Sequence, residues 1–280
     1  MHIILGGTGH VGSAAARRLL AMGEPVTVVS RNPDRRGEWE ASGASLAVAD
    51  VFEPAALREV FRQGTRAFLP NPPADPSPDT DAQERRSVAS TLEALDGSGL
   101  EQVVAESTMG PQPGERLGDF NVLYEFEQGL RRQPIPASII RAGYYMSNWD
   151  FTLDTVREQG RLDTMHPADL AIPMVAPEDL GTTAARLLTA PRGEYGLHYV
   201  EGPQRYSAND VAAAFARALR RPVEVAVTPR DQWRVTYRKM GFSEAAAASY
   251  ARMTAVTVGA PELPDHAEGG TVTLYEEIQA

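Results

Sequence analysis

His-Ile-Ile-Leu-Gly-Gly-Thr-Gly-His-Val-Gly, residues 2–12, decides the fold. A short apolar run, residues 2–5, leads into Gly6, Gly7, Gly9 and Gly12, and an Ala-rich amphipathic segment, 13–22, follows at once. Strand, glycine turn and helix in this order give a G-x-G-x-x-G pattern its meaning. Gly7 is expected to permit the tight turn, Gly9 to let the backbone approach a pyrophosphate, and Gly12 to let the helix pack on the strand. The free N–H groups and positive dipole end of the helix would then face the phosphates. Gly6, Gly7, Thr8, Gly9, His10, Val11 and Gly12 are therefore the expected dinucleotide loop; a purely structural glycine turn does not explain four glycines in so short a stretch.

Working outward, residues 25–30 (Pro-Val-Thr-Val-Val-Ser) read as a buried parallel strand. Arg31 follows, about 20 residues after the glycines, where an NAD-binding chain would carry an acidic residue for the ribose 2′-hydroxyl. A guanidinium there suits a 2′-phosphate instead, through charge-assisted bonds. Ser30 and Asn32 can add hydrogen bonds and Arg35 and Arg36 positive charge; the plain alternative is a solvated basic loop. The expectation is NADP(H).

The first half alternates strands (2–5, 25–30, 45–49, 66–70, 102–106, 136–141) with helices (11–22, 54–63, 81–98, 117–133). That pattern implies α/β architecture, a doubly wound parallel sheet of Rossmann type. Ligands in such sheets lie beyond the carboxyl ends of the strands. Asp50 and Val51 close the third strand, where Asp50 either bonds the adenine or serves a turn. Pro70 and Asn71 open the stiff, proline-rich loop 70–78, which cannot be helix interior and is placed to run along the cofactor. Ser107 and Thr108 end the fifth strand, and Tyr144 and Tyr145 follow the sixth; each is a candidate for substrate or nicotinamide contact, or for ordinary strand-end bonding and packing. After residue 148 the alternation breaks down. Helices are expected at 150–159, 177–189, 207–220, 229–240 and 243–257, with strands at 197–201 and 222–227. The chain thus divides into a nucleotide-binding unit, 1–148, and a smaller, mostly helical substrate lobe, 149–280, with segments returning to the sheet.

Composition narrows the function classes. The 280 residues suffice for a sizeable core. A balance of 27 basic to 37 acidic residues, net charge −10, opposes nucleic-acid binding. Without cysteine there is no disulfide, thiolate nucleophile or Cys-based metal site, and the five histidines show no ligand spacing, so no metal is expected. The apolar strand begins at residue 2, so no signal peptide is expected. No apolar run approaches the roughly 18 residues of a bilayer span. A cytoplasmic chain without membrane partner is the expectation, with a homodimer or a regulatory protein partner open.

With these residues in place the chain resembles the NmrA-like family of atypical short-chain dehydrogenases/reductases. The resemblance rests on Gly-Gly-Thr-Gly-His-Val-Gly at 6–12, Ser-Arg-Asn-Pro at 30–33 and Ile-Ile-Arg-Ala-Gly-Tyr-Tyr-Met-Ser-Asn at 139–148. Two later blocks, Ile-Pro-Met-Val-Ala-Pro-Glu-Asp-Leu-Gly at 172–181 and Tyr-Val-Glu-Gly-Pro-Gln-Arg-Tyr-Ser at 199–207, extend it over nearly the whole chain. It implies an NADP-preferring Rossmann domain and a substrate lobe, in a family that includes both redox enzymes and nucleotide-sensing regulators. One departure stands out. Typical short-chain dehydrogenases pair Tyr-x-x-x-Lys so that the lysine tunes a tyrosine acid. The nearest match is Tyr124-Glu-Phe-Glu-Gln128, and Gln128 carries no charge. Tyr124, Ser107 and Tyr144 remain the catalytic candidates. The leading expectation is an NADPH-dependent oxidoreductase passing hydride to a small activated acceptor, such as a quinone or conjugated carbonyl, because the cofactor carries that chemistry. The alternative is an NADP(H)-binding redox sensor without turnover.

Overall fold

The computed structural model describes residues 1–259 and 263–279. In chain order the first half runs β1 (His2–Ile4), α1 (His10–Ala21), β2 (Val26–Ser30), α2 (Arg36–Ala41), β3 (Ser45–Val48), α3 (Pro54–Phe61), β4 (Arg66–Leu69), α4 (Thr80–Leu95), β5 (Gln102–Thr108), α5 (Asp119–Arg131) and β6 (Ala137–Ala142). The second half runs β7 (Tyr144–Tyr145), α6 (Leu153–Gln159), β8 (Arg161–Thr164), β9 (Ile172–Val175), α7 (Pro177–Thr189), β10 (Leu197–Glu201), β11 (Arg205–Tyr206), α8 (Ala208–Leu219), β12 (Glu224–Val227), α9 (Trp233–Lys239), α10 (Glu244–Val258), β13 (Glu268–Gly269) and α11 (Leu274–Gln279).

Eight strands form one parallel sheet in the order β3-β2-β1-β4-β5-β6-β10-β13. The chain lays down β1, β2 and β3 in one direction, then returns to place β4 on the other side of β1, with His2 opposite both Val26 and Arg66. Strand order reverses there, which opens a crevice at the carboxyl edge. Alternation along the strands splits the core into two layers. Ile4, Val28, Phe68, Val104 and Ile140 face α1 and α7. Ile3, Val29, Ala67, Leu69, Val103 and Ala105 face the layer of Leu57, Phe61, Leu95 and Phe126 from α3, α4 and α5. The α1–α7 crossing is made of small residues: a Cβ on Gly181 would lie 2.5 Å from that of Ala14.

The second half contributes to the sheet and also builds the lobe. β10, β13 and α7 extend the sheet layer. The remainder gathers Met146, Trp149, Leu162, Met174, Tyr206, Val211 and Phe215 into a separate core, with small sheets β11-β9-β7 and β12-β8. Ser207 starts α8 with a reciprocal capping box to Asp210, which satisfies helix N–H groups that otherwise lack partners. Two expected helices are shorter than their periodicity implies. Tight 3-10 turns at Met146–Thr152 and Arg230–Gln232 precede α6 and α9. The α9–α10 hairpin bends back over the first half: Ser243 N donates to Pro76 O at 2.8 Å and Gly118 N to Ser249 Oγ at 3.0 Å. It thereby roofs the crevice.

Candidate functional site

A cleft of about 1940 Å³ runs along the carboxyl edge of the sheet and under the α9–α10 hairpin. It is larger than the roughly 300–1,000 Å³ of a typical drug-sized ligand pocket, so it has room for a dinucleotide and a second molecule. Its floor begins at the glycine loop, where Gly6, Thr8, Gly9, His10, Val11 and Gly12 line it and Gly7 lies beneath. The left-handed residue of the turn is Gly6, with φ +64°, not Gly7. Gly7 is instead barred from a side chain by Val28, whose Cγ1 a Cβ would meet at 2.7 Å. At Gly12 a Cβ would stand 2.3 Å from Gly6 O, so α1 could not seat against the turn. At Gly9 a Cβ would meet no atom of the described residues nearer than Gly6 O, at 3.4 Å. The protein itself leaves that space open, as a phosphate cradle requires. Among the described residues no side chain caps α1, so its first-turn N–H groups have no side-chain partner there.

The cleft reaches Arg31 at the end of β2. Arg35 and Arg36 are engaged by Glu38 at 2.6 Å and Glu40 at 3.4 Å. Arg31 is exposed and has no ion pair or side-chain hydrogen bond among the described residues. Asn32 does not line the cleft; its Oδ1 accepts from Asp34 N at 2.9 Å and caps the 3-10 turn Pro33–Arg35. Asp50 is likewise outside the lining, its Oδ1 accepting from Phe52 N at 2.9 Å in a turn. Val51 and Phe52 form the wall there instead, with the Arg86 guanidinium 4.7 Å from the Phe52 ring centroid. Arg86 went unread in the sequence because its place in α4 looks like a solvated helix face.

Pro70 and Asn71 line the middle of the cleft. Pro70 packs on the turn, its Cγ 2.8 Å from where a Gly6 Cβ would stand, and Asn71 Oδ1 accepts from Ser87 Oγ. Beyond them lie the ends of β5 and β6. Ser107 lines the cleft, but its Oγ donates to Glu127 Oε1 at 2.7 Å. Glu127 is fully buried and is gripped by Arg141 through Nε at 2.8 Å and Nη2 at 2.7 Å. Tyr124, half-buried on α5, is not brought into the cleft.

The far wall belongs to the lobe and the hairpin. Tyr144 packs edge-on to Trp149 and His166, at centroid distances of 6.0 and 5.6 Å. Burial pushes the Tyr144 hydroxyl well above its ordinary range and lowers the His166 pKa, so both rings are neutral at pH 7. Tyr237, Phe242 and Tyr250 form a second aromatic group. Two carboxyls, the buried Glu106 and the partly exposed Asp119, also face this end. Glu106 is raised to about 7 by burial, with Tyr145 opposing the shift through a hydrogen bond. Glu84 on α4 is raised to about 9 by burial and then by the neighbouring charge of Asp119, and burial raises Asp119 as well. Among the described residues no group of three or more His, Asp or Glu side chains is arranged to hold a metal ion, and no helix is long and apolar enough to cross a membrane.

A 3-2-1-4-5-6 parallel sheet whose crevice opens on an uncapped, glycine-led helix defines the class: a Rossmann-type nucleotide-binding protein. The chain belongs to the NmrA-like family, whose model matches residues 2–256. It is 26% identical over 247 residues to an NAD(P)H azoreductase of Xenophilus azovorans, covering 88% of this chain and 84% of that one. Two solved structures share the fold. The triphenylmethane reductase of Citrobacter sp., complexed with NADP(H), superposes with a TM-score of 0.76 at 16% identity, covering 100% and 95% of the two chains. An NADPH-dependent quinone oxidoreductase of Escherichia coli, complexed with NADPH, gives 0.74 at 19%, covering 99% and 98%.

Proposed function

We propose that this protein is an NADP(H)-dependent oxidoreductase that transfers hydride to a small activated acceptor, such as a quinone or conjugated carbonyl. The observation that carries the reading is the polarity of the cleft. It runs from the guanidinium of Arg31, unpaired among the described residues, past the open space at Gly9 and the α1 terminus, to an apolar, aromatic end with carboxyls. Each part fits a part of the cofactor. Arg31 suits the 2′-phosphate, Val51 and Phe52 the adenine, the N–H groups of His10, Val11 and Gly12 the pyrophosphate, and Pro70 and Asn71 the nicotinamide half. The bound cofactor would supply the hydride.

The chain's own residues bind, orient and exclude water. The α9–α10 hairpin lines the acceptor end, and Tyr144, Trp149, Tyr237 and Phe242 offer flat apolar surfaces to a planar acceptor. The similar azoreductase, triphenylmethane reductase and quinone oxidoreductase support a reductase of conjugated acceptors. Ser107 would act through the Glu127–Arg141 pair as a positioning group for the β5 end, since its proton is already committed. The test is NADPH consumption against a panel of quinones, enals and ketones beside a binding titration. Acceptor-dependent oxidation is expected with at least one planar conjugated acceptor. Tight NADPH binding with no turnover on the panel favours the sensor reading instead.

A further inference from the structure

Glu106 is a buried carboxyl to which the glycine motif and the cofactor fit assign no role. It sits one residue before Ser107 on β5, so its side chain leaves the opposite face of the strand from Ser107, Glu127 and Arg141. Its Oε1 accepts from the Tyr145 hydroxyl at 2.6 Å. Its Oε2 has no hydrogen-bond partner among the described residues, yet is not sealed in the interior, and the residue lines the cleft. The strand end that carries it lies beside β4 and β6, on the nicotinamide side of the point where strand order reverses.

We propose that Glu106 is the proton donor of this cleft, with Tyr145 as its positioning residue, taking the place of the tyrosine–lysine pair that the chain lacks. The inference rests on the reductase reading above. The balance is simple. A quinone that has accepted hydride, two electrons and a proton, is left with one negative charge on oxygen. The Glu106 O–H bond breaks, its proton forms an O–H bond at that oxygen, and the carboxylate takes a proton back from water. Burial holds the group at about 7, so near neutrality it is protonated often enough to give a proton and acidic enough to release one. The titratable group in contact with it is Tyr145, from β7; Asp119, at the start of α5, acts on the Tyr145 hydroxyl. Tyr145 is itself pushed well above its ordinary range, so it stays a donor to Glu106 and does not compete as the acid.

Two variants and two readouts test this. The pH profile of kcat with NADPH and a quinone is measured for the unmutated protein, Glu106→Gln and Tyr145→Phe. Calorimetric NADPH binding in two buffers of different ionisation heat counts the protons taken up. The unmutated protein should lose rate as pH rises through about 7, and Glu106→Gln should lose about 30-fold or more in kcat together with that limb. Tyr145→Phe removes a hydrogen bond that favours the carboxylate, so its limb should move to higher pH. NADPH covers the cleft and disfavours the charged form, so binding at about pH 7.5 should draw in a fraction of a proton, and none in Glu106→Gln. The proposal is overturned if Glu106→Gln keeps kcat within about threefold and an unchanged limb, including the case where only NADPH affinity falls. It is also overturned if proton uptake is unaltered in Glu106→Gln. If the unmutated protein reduces no acceptor, the reductase reading fails and this role with it, an outcome distinct from a rate that survives the loss of Glu106.

Discussion

Arg31 concentrates the cofactor claim in one side chain. Its two basic neighbours are paired to Glu38 and Glu40, and it alone of the three lines the cleft. Hydrogen bonds to a charged group contribute roughly 1.5–3 kcal/mol, so NADPH should bind at least about tenfold tighter than NADH. Arg31→Ala should erase most of that margin, as paired titrations of both nucleotides will show; equal affinities in the unmutated protein would remove the argument. Tyr124→Phe should change turnover by less than about threefold, because a phenol outside the cleft has no acceptor to protonate. Residue by residue, the sequence pointed to candidates where spacing along one strand–turn–helix unit suggests a role, as at Arg31 and Gly9. It was not readable where the role depends on chain far away. Glu106 reads as one more residue of the strand Val-Val-Ala-Glu-Ser-Thr until β7 folds Tyr145 onto it. Asp50 offered a local turn and a distant base equally well, and the structure gives it the turn.

At the scale of elements, the glycine loop separates two kinds of constraint. Gly12 is held by the protein itself, with Gly6 O 2.3 Å from any Cβ, while Gly9 is open. Gly12→Val should therefore destabilise the fold, by about 1–3 kcal/mol for overpacking, visible as a lowered Tm without ligand. Gly9→Ala should leave the Tm of the free protein within about 2 °C and weaken NADPH binding, because its Cβ enters the phosphate space. Unchanged NADPH affinity in Gly9→Ala would mean that the phosphates lie elsewhere. Strands β1 to β6, β10 and β12 and the long helices were legible from periodicity, since each buries a face set by its own sequence; β8 and β9, four residues each, and the six-residue helices α2 and α11 were not. The shortest elements were not: β7, β11 and β13 have two residues each, too few for a period, and exist by pairing with distant strands. The amphipathic segments of α9 and α10 read as helices, but their seat over the cleft depends on bonds from Ser243 and Ser249 to the first half of the chain.

Across the whole molecule, the α9–α10 roof lies over two acids, Glu84, which is buried, and Asp119, which is partly exposed. Glu84 and Asp119 are packed below α10 with Tyr250, and burial holds Glu84 protonated to about 9. In the unfolded chain that carboxyl ionises at its ordinary value near 4.5. Between the two values the folded state binds more protons than the unfolded one, so stability is fully present below about 4.5 and is lost as pH rises toward about 9. Glu84→Gln should flatten that slope: its Tm should exceed that of the unmutated protein by about 3 °C or more at pH 8, and the gap should close by pH 5. A constant gap across this range would show that Glu84 is ionised in the fold. The central claim, that this cleft brings hydride from NADPH to a conjugated acceptor, meets its most direct test in a single-turnover measurement. Protein in excess is loaded with NADPH, a quinone is added, and the near-ultraviolet absorbance of reduced nicotinamide is followed. The account predicts that the absorbance is lost completely, at a rate that rises with quinone concentration and far exceeds that of free NADPH with the same quinone. Bound NADPH that persists across the acceptor panel at the rate of the free nucleotide would contradict it.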